Sequence, residues 1–375
     1  MSQLSNPFVI GKYVNKDYFC DREKESETLV HHIVNGRNVA IMSERRLGKT
    51  GLIEHVFSNN LPDGYEPFLI DIYTCKNLRE MVYLLASEVF KKIARKQSMA
   101  ERLLRAVRSL KTTISYDGIT GLPEIAFGLG EIQQPEVTLD EILGYLEASD
   151  TVCIVAIDEF QKIASFEEEK VEALLRTKIQ HLKKTQFVFA GSERHLLEGI
   201  FSNPNRPFYN SVVFMQLLPI EKEAYLKFCQ QLFVRYDKSV SPALVERLYD
   251  CFQGITWYLQ LSMNEAFTMV ERGGSVGEEA YSQILNHLVD SKRFTFEDRY
   301  ASLTEKQKTV LQAIASEFPN QMTLTSLDFI SKYNLKTASS VQTAVKGLTE
   351  KGILSDKHGV KCPTDILFML WLKRF

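Results

Sequence analysis

The chain has 375 residues, of which 45% are hydrophobic and 25% are charged, and its formal net charge is -2. This composition is typical of globular proteins, and the length predicts two or three domains with cores of their own. A net charge so close to zero excludes a uniformly basic nucleic-acid coat, so any contact with nucleic acid has to be local.

The six cysteines are widely spaced, and none forms a C-x-x-C pair or lies at zinc-ligand spacing from a histidine. They are therefore expected to be reduced thiols that bind no metal. The first residues lack the charged and apolar regions of a signal peptide, and no apolar run approaches the length of a membrane span. These features predict a cytoplasmic protein without membrane contact.

An amphipathic helix is expected ahead of the first strand, with apolar residues on one face at Leu29, Ile33 and Val34. Asp21 is a suitable N-cap for this helix, because its side chain can accept a hydrogen bond from the first turn. Gly36 is a suitable residue to end it.

The stretch from Asn38 to Gly51 reads NVAIMSERRLGKTG and predicts a strand, a loop and a helix in immediate succession. Backbone N–H groups of such a loop converge on phosphate, with the positive end of the helix dipole behind them. Lys49 is expected to reach the β- and γ-phosphates of a nucleotide, and the Thr50 hydroxyl to ligate Mg²⁺. The strand-to-helix context disfavours the alternative, a helix start that contains GKT by chance.

Ser43, Gly48 and Gly51 complete the nucleotide-binding residues that this stretch predicts. Ser43 stands where the P-loop pattern has its first glycine, so a Cβ lies where the backbone usually needs freedom of φ. This departure weakens the match without breaking it.

Four elements separate the P-loop helix from the next motif: a strand at Glu66–Tyr73, a basic helical stretch from Asn77 to about Lys111, a β-hairpin insertion between Thr112 and Pro135, and a helix at Leu139–Ala148. The following strand lies in TVCIVAIDEF and delivers Asp158 and Glu159 at its carboxyl end, where open α/β sheets bind ligands. Asp158 can hold Mg²⁺ through water, and Glu159 can polarise a water for attack on the γ-phosphate.

A further buried strand, Thr185–Ala190, stops at Gly191 and Ser192, and Val212–Leu217 is the last strand of this half. Ser192 is therefore a candidate to sense the γ-phosphate from the tip of its strand. Capping of the next helix by the same serine is an alternative of equal weight.

The pattern beyond Pro219 is helical, and a new module begins near Ser302. Thr304 and Gln307 predict a capping box ahead of an apolar helix face. A second helix is expected at Thr325–Tyr333.

A third helix is expected near Ser339, with Gln342 as its capping-box partner, and a turn at residues 356–358 then predicts a β-wing. His358 is expected to be a turn residue at the tip of this wing. Three helices and a wing resemble the winged-helix domains of bacterial regulators. Residues 301–375 carry ten basic and six acidic residues, which is enough charge for a few phosphate contacts. DNA and protein partners are about equally supported.

The order of these motifs resembles the AAA+/STAND-type P-loop ATPases, and most closely the archaeal-type ATPase family. Residues 20–23, Cys-Asp-Arg-Glu, loosely match the box that this family has before its P-loop, and Arg45 to Thr50 match its RR-x-GKT loop. The resemblance implies that Arg46 belongs to the nucleotide-binding loop. It also implies that the strand carrying Ser192 lies between the P-loop strand and the acidic strand.

Gly254 and Tyr258 fit the Gly-x-Pro-x-Tyr turn of the helical lid in this family, although Thr256 replaces the proline. Tyr258 and Trp257 could each contact nucleotide or pack the lid, and packing is the favoured alternative. The family often has a Tyr-Gly-Arg whose arginine acts on phosphate, but here Asn210 and Ser211 follow Tyr209, so that arginine is absent. Nearby substitutes for it are Arg194 and Arg206.

The predicted fold class is α/β: a P-loop ATPase core with a parallel sheet at 1–218, a helical lid at 219–298 and a winged-helix domain at 299–375. ATP and Mg²⁺ are the expected cofactors, with Glu159 and Ser192 in catalytic roles. One hypothesis is an ATPase that drives or gates a conformational change. The alternative is a slow nucleotide-gated switch that binds DNA or protein, and a homo-oligomer is compatible with both.

Overall fold

The computed structural model describes residues 4–93, 103, 106–109, 113–116, 123–126, 132–168, 170–320, 323–357 and 360–374. The chain divides into two compact units. We call residues 11–220 the sheet unit, and residues 1–10 together with 221–375 the helical unit. The boundaries of the three predicted domains stay a prediction.

The sheet unit combines seven described strands with six helices. Its strands are β1 Val39–Ser43, β2 Tyr65–Asp71, β3 Thr113–Tyr116, β4 Pro123–Ala126, β5 Val152–Asp158, β6 Gln186–Gly191 and β7 Val213–Leu217. Its helices are α1 Glu23–Val34, α2 Lys49–Asn59, α3 Leu78–Ile93, α4 Pro135–Glu147, α5 Val171–Ile179 and α6 Arg194–Ser202. Short 3₁₀ turns are present at Lys16–Tyr18 and Phe160–Ser165.

Five of these strands form one parallel sheet in the order β2-β5-β6-β1-β7. All residues of β1 and β6 are buried, as expected for parallel strands that helices cover on both faces. The predicted position of β6 between β1 and β5 is confirmed. The carboxyl ends of β1, β5 and β6 are consequently neighbours at one edge of the sheet.

A group of aromatic side chains packs beneath this edge. The Phe160 ring, just after β5, lies 4.4 Å from the Phe189 ring in β6, measured between centroids, and both side chains are buried. Phe201 and Phe208 lie within 6 Å of the Phe160 ring. Burial of a phenylalanine contributes about 1.5–3 kcal/mol, so this group holds the ends of β5 and β6 firmly together.

The predicted hairpin insertion is confirmed where the chain is described, because β3 and β4 pair antiparallel from Thr113 opposite Ala126 to Tyr116 opposite Pro123. The remainder of that insertion lies largely outside the described residues. The expectation for Asp21 is wrong. Helix α1 has Arg22 at its N-cap position, with φ of 79°, and no side chain caps it. Asp21 stands one residue too early, itself in the left-handed region.

The helical unit contains the remaining elements: α7 Lys222–Arg235, β8 Ser239–Val240, α8 Pro242–Cys251, α9 Thr256–Thr268, β9 Ser275–Val276, α10 Tyr281–Asp290, α11 Arg293–Ala301, α12 Glu305–Glu317, α13 Leu327–Lys332, α14 Ala338–Glu350, β10 Leu354–Lys357, β11 Val360–Pro363 and α15 Ile366–Leu372. A 3₁₀ turn is present at Glu278–Ala280. The amino-terminal Phe8 belongs to this unit, and its buried ring packs against Phe228, Phe233 and Phe267.

The predicted capping box of Thr304 and Gln307 is confirmed at the start of α12. The predicted box of Ser339 and Gln342 is wrong, because α14 begins earlier and Thr337 caps it by accepting a hydrogen bond from the Ser340 N–H. Strands β10 and β11 pair antiparallel and form the predicted wing. His358, which is predicted at its tip, lies outside the described residues.

Among the described residues, no helix is long and apolar enough to cross a membrane.

Candidate nucleotide-binding site

The loop between β1 and α2 connects a buried strand directly to a helix start. Its left-handed residues are Arg46, with φ of 71°, and Gly48, with φ of 90°. Ser43 is buried and is not among the described residues with positive φ, so its Cβ is accommodated without strain there. Its Oγ donates to the Glu44 carbonyl at 3.0 Å. The serine in place of the first glycine therefore causes no backbone strain at position 43.

Arg22 supports this loop from the start of α1. The side chain is 3% exposed, Nη1 lies 2.6 Å from Glu25 Oε1, and Nη2 donates to the Leu47 carbonyl at 3.4 Å. A buried guanidinium is stabilised when a carboxylate and backbone acceptors satisfy its donors. Arg22 therefore ties the loop to α1 without occupying the loop itself.

Lys49, the first residue of α2, connects the loop to the acidic strand. Its Nζ lies 2.7 Å from Asp158 Oδ1 and 3.1 Å from Glu159 Oε1. The Lys49 and Asp158 side chains are nearly excluded from solvent, so the pair is screened little by salt. The cation expected to bind phosphate is engaged by the two predicted carboxylates.

Thr50 and Asp158 lie together as the predicted metal ligands. Thr50 Oγ1 donates to Asp158 Oδ2 at 2.5 Å, so two oxygen atoms of the type that Mg²⁺ prefers are adjacent. Mg²⁺ usually takes one or two protein oxygens, together with waters and substrate phosphates, and this pair fits that requirement. Within the described part of the chain, no group of three or more His, Cys, Asp and Glu is placed to hold a metal ion.

Glu159 lies just past the end of β5 with φ of 55°, a left-handed conformation that is costly for glutamate and is often found at functional sites. Its Oε2 accepts hydrogen bonds from Ser192 Oγ at 2.9 Å and from Gln161 Nε2 at 2.5 Å. Ser192 does not cap the next helix, because α6 begins at Arg194 and has Glu193 at its N-cap position. That alternative for Ser192 is therefore wrong.

Asp71 is a third carboxylate at this edge, opposite Asp158 in the β2–β5 register. Burial raises its pKa, and the negative charges of Asp158 and Glu159 raise it further. Its hydrogen bond from the Tyr73 N–H acts in the opposite direction. Three carboxylates and one lysine give this edge an excess of negative charge in the absence of a cation.

A small aromatic cluster covers the first turns of α2. The Phe19 and His55 rings stack with centroids 4.3 Å apart and an interplanar angle of 15°. Tyr13 meets both rings edge-on, and its OH lies 3.1 Å from His55 Nδ1. The Phe19 ring also approaches Gly51, where an added Cβ would lie 3.6 Å from it. Burial lowers the pKa of His55 and so favours its neutral form.

The two arginines that stand nearest in sequence to the missing family arginine both contact carboxylates. Arg206 makes a close ion pair with Glu172, in which Nε also donates to Oε2 at 3.0 Å. Arg194 Nε lies 3.6 Å from Glu198 Oε2 on the same helix. Neither side chain is placed by these contacts among the predicted catalytic residues.

The structure therefore brings together the side chains of Lys49, Thr50, Asp158, Glu159 and Ser192. The other predicted residues belong to the end of β1, the loop and the first turn of α2: Ser43, Arg46, Gly48 and Gly51. Sequence reasoning missed Gln161 and Asp71. Their signals were present, because Gln161 follows Asp-Glu by two residues and Asp71 ends the partly buried strand β2. The sequence did not show that Asp71 lies beside Asp158 or that Gln161 contacts Glu159.

Comparison with solved structures gives the fold. The chain is similar to a Walker-type ATPase of Pyrococcus abyssi, with a TM-score of 0.66 and 17% identity over 98% of this chain and 99% of that chain. The chain has the fold of a P-loop ATPase. It is also similar to the ORC2 protein of Aeropyrum pernix in its ADPNP-ADP complexes, with a TM-score of 0.62 and 14% identity over 98% of this chain and 96% of that one.

A family model described as "Probable winged helix domain" matches residues 294–374 of the chain. The predicted fold class and the resemblance to P-loop ATPases are thus confirmed at the level of fold. No curated protein sequence matches the chain.

Proposed function

We propose that the protein binds ATP with Mg²⁺ and hydrolyses it. The observation that carries this proposal is one connected set of ion pairs and hydrogen bonds between the start of α2 and the carboxyl ends of the neighbouring strands β5 and β6. Its members are Lys49, Thr50, Asp158, Glu159 and Ser192. Ligands bind at this edge of open α/β sheets.

ATP binding requires Lys49 to change partners. Its ammonium is shared between Asp158 and Glu159, and the phosphates of ATP would supply the negative charge that replaces these carboxylates. Exchange of this ion pair frees Glu159 Oε1 to accept a proton from an attacking water. Ser192, which now donates to Glu159, is within the same set and can turn its hydroxyl to the γ-phosphate.

Thr50 and Asp158 would hold Mg²⁺, which when bound neutralises charge that develops on the phosphate oxygens. The Thr50 hydroxyl now donates to Asp158 Oδ2, so ligation through its oxygen requires the proton to turn away from Asp158. The excess of negative charge at this edge, which includes Asp71, favours a divalent cation there.

Calorimetric titration of ATP tests the binding step. Lys49→Ala should abolish detectable ATP binding, and Asp158→Asn should remove the dependence of ATP affinity on Mg²⁺ while some binding remains. Lys178→Ala is the matched control, because Lys178 pairs with Asp140 on the surface of the sheet unit. Equal ATP affinity in wild type and Lys49→Ala would contradict the proposal.

A nucleotide-gated switch is the second candidate, and the two arginines favour it. Arg206 and Arg194 both contact carboxylates of their own chain, so hydrolysis would be slow without a partner that supplies a cation. ATP would then control whether the winged-helix domain binds its partner.

The charges of the winged-helix domain favour a protein as that partner. Several of its cations pair with carboxylates: Lys308 with Glu305, Lys332 with Glu317, Lys361 with Asp356, and Arg374 with Asp290. These cations would have to exchange their carboxylate partners in order to contact phosphate groups of DNA. The exposed face of α14 offers Gln342, Thr343 and Lys346 for contact.

Duplex binding at several salt concentrations separates the two kinds of partner. We expect weak affinity for DNA with a shallow dependence on salt, and no effect of ATP on either. A steep loss of affinity with salt that Lys346→Ala reduces would instead identify DNA as the ligand.

A further inference from the structure

Gln161 is a buried polar side chain that contacts the candidate catalytic base. It lies in the 3₁₀ turn Phe160–Ser165, is 3% exposed, and donates from Nε2 to Glu159 Oε2 at 2.5 Å. Within the part of the chain that the structure describes, its Oε1 has no hydrogen-bond partner. A buried acceptor without a partner costs about 1–3 kcal/mol, so glutamine is unfavourable at position 161 unless the N–H donor of its amide has a function.

The orientation of this amide follows from its partner. A carboxylate only accepts hydrogen bonds, so the NH₂ group of Gln161 has to face Glu159. Reversal of the amide would place Gln161 Oε1 against Glu159 Oε2, and these two acceptors would repel each other. An apolar side chain of the same length would fill the space without a buried orphan oxygen, which indicates that the N–H donor is what the position requires.

Gly191 makes room for this side chain. A Cβ at Gly191 would lie 2.3 Å from Gln161 Oε1, closer than any carbon can approach. Gly191 ends β6 immediately before Ser192, and Phe160 beside Gln161 packs on Phe189 of the same strand. The amide is therefore fixed between the ends of β5 and β6.

Glu159 accepts from three donors in the structure: Lys49, Ser192 and Gln161. Two of them, Lys49 and Ser192, are the residues that turn to phosphate in the proposed function. Gln161 is enclosed and has no phosphate role, so its hydrogen bond persists when the other two leave. We propose that Gln161 is the positioning residue that keeps the Glu159 carboxylate aimed at the attacking water in the ATP-bound enzyme. This inference rests on the proposed ATPase function.

Steady-state kinetics of Gln161→Met tests it, because methionine keeps the length of the side chain and removes the donor. We expect kcat for ATP to fall about tenfold or more, with KM and the dissociation constant of ATP unchanged. Gly191→Ala should reproduce this loss, since its Cβ displaces the amide from its slot.

Gln186→Met is the matched control. Gln186 is also a buried glutamine with an unpartnered Oε1, but it lies at the opposite end of β6, so its replacement should leave kcat unchanged. A double-mutant cycle adds a second test. In a Glu159→Gln background, Gln161→Met should cause no further loss of rate, because the carboxylate that it positions is gone.

Three outcomes would overturn the inference: an unchanged kcat in Gln161→Met, an equal loss in Gln186→Met, or a full additional loss in the Glu159→Gln background. Each of these leaves ATP hydrolysis by the wild type intact and so spares the proposed function. Absence of turnover in the wild type would overturn both.

Discussion

The Nζ atom of Lys49 lies 2.7 Å from Oδ1 of Asp158, and the two side chains are only 7% and 4% exposed. The lysine that the P-loop pattern assigns to phosphate thus forms an ion pair with a carboxylate of the acidic strand. A desolvated charge without its partner is costly, so the ammonium and the carboxylate stabilise each other until substrate arrives. This relationship makes stability and nucleotide binding depend on the same atoms.

Replacement of Lys49 should therefore destabilise the protein even without ATP. We expect Lys49→Met to lower the free energy of unfolding by about 3 kcal/mol, because Asp158 is left buried and unpaired. Denaturant unfolding measures this change. Lys346→Met, which breaks the exposed pair with Glu350, should cost less than about 1 kcal/mol. Equal effects of the two variants would show that the Lys49 pair is not desolvated in solution.

Arg22 should influence ATP affinity from outside the loop. Arg22→Met removes the hydrogen bond to the Leu47 carbonyl and the ion pair with Glu25, so the loop loses one of its supports. We expect ATP affinity to fall about fivefold to tenfold, in the range of a lost charge-assisted hydrogen bond. Arg37→Met, at an exposed site beyond α1, is the control in the same calorimetric titration. Unchanged affinity in Arg22→Met would mean that the loop holds its shape alone.

His55 should make stability depend on pH. Burial lowers its pKa below the ordinary 6.5, so the unfolded chain takes up a proton that the folded chain does not as the pH falls below about 6.5. The stabilising contribution of neutral His55 is fully present above that pH and is lost progressively below it. His55→Phe keeps a ring against Phe19 and removes the titration.

The measurement is the free energy of unfolding at pH 7.5 and pH 5 in wild type and in His55→Phe. Wild type should lose more stability than the variant between these two pH values. Parallel losses would indicate that His55 titrates as it does in the unfolded chain.

Tyr258 should stabilise the helical unit through its hydroxyl. The side chain is buried, its OH donates to Asp365 Oδ1 at 3.0 Å, and it accepts from the Ile366 N–H at 3.1 Å. Tyr258→Phe retains the ring that stacks on Phe252 and leaves these partners short of one hydrogen bond each. We expect a loss of about 1–3 kcal/mol in thermal unfolding.

Tyr333→Phe is the matched control, because that hydroxyl bonds Glu317 in a more exposed position. It should cost less than Tyr258→Phe. A larger cost for Tyr333→Phe would contradict the account of Tyr258 as a buried connection between α9 and α15.

The sequence was sufficient for the elements that depend on local patterns. Strand β1, the GKT loop, the apolar strand before Asp158 and the capping box at Thr304 were all predicted, because period, turn chemistry and capping are written in neighbouring residues. The expectation that Tyr258 packs was also correct, although its hydroxyl also bonds Asp365, 107 residues away.

The errors and omissions come from interactions that are distant or depend on one residue of register. Asp21 and Ser339 are good capping residues, but the N-cap positions of the two helices are occupied by Arg22 and Thr337. Gln161 was invisible as a site residue, because its role depends on the missing Cβ of Gly191, which lies on another strand. The propensities of neighbouring residues contain no information on contacts between residues of different strands.

The most direct measurement of the central claim is steady-state ATP turnover by purified wild type beside Glu159→Gln, with Mg²⁺ present. We predict measurable turnover in the wild type and a loss of about a hundredfold or more in the variant, which should still bind ATP because Lys49 and Thr50 are intact. Equal turnover in the two proteins would contradict the assignment of Glu159 as the base. Tight binding of ATP with no turnover in either would contradict hydrolysis and leave the nucleotide-gated switch as the function.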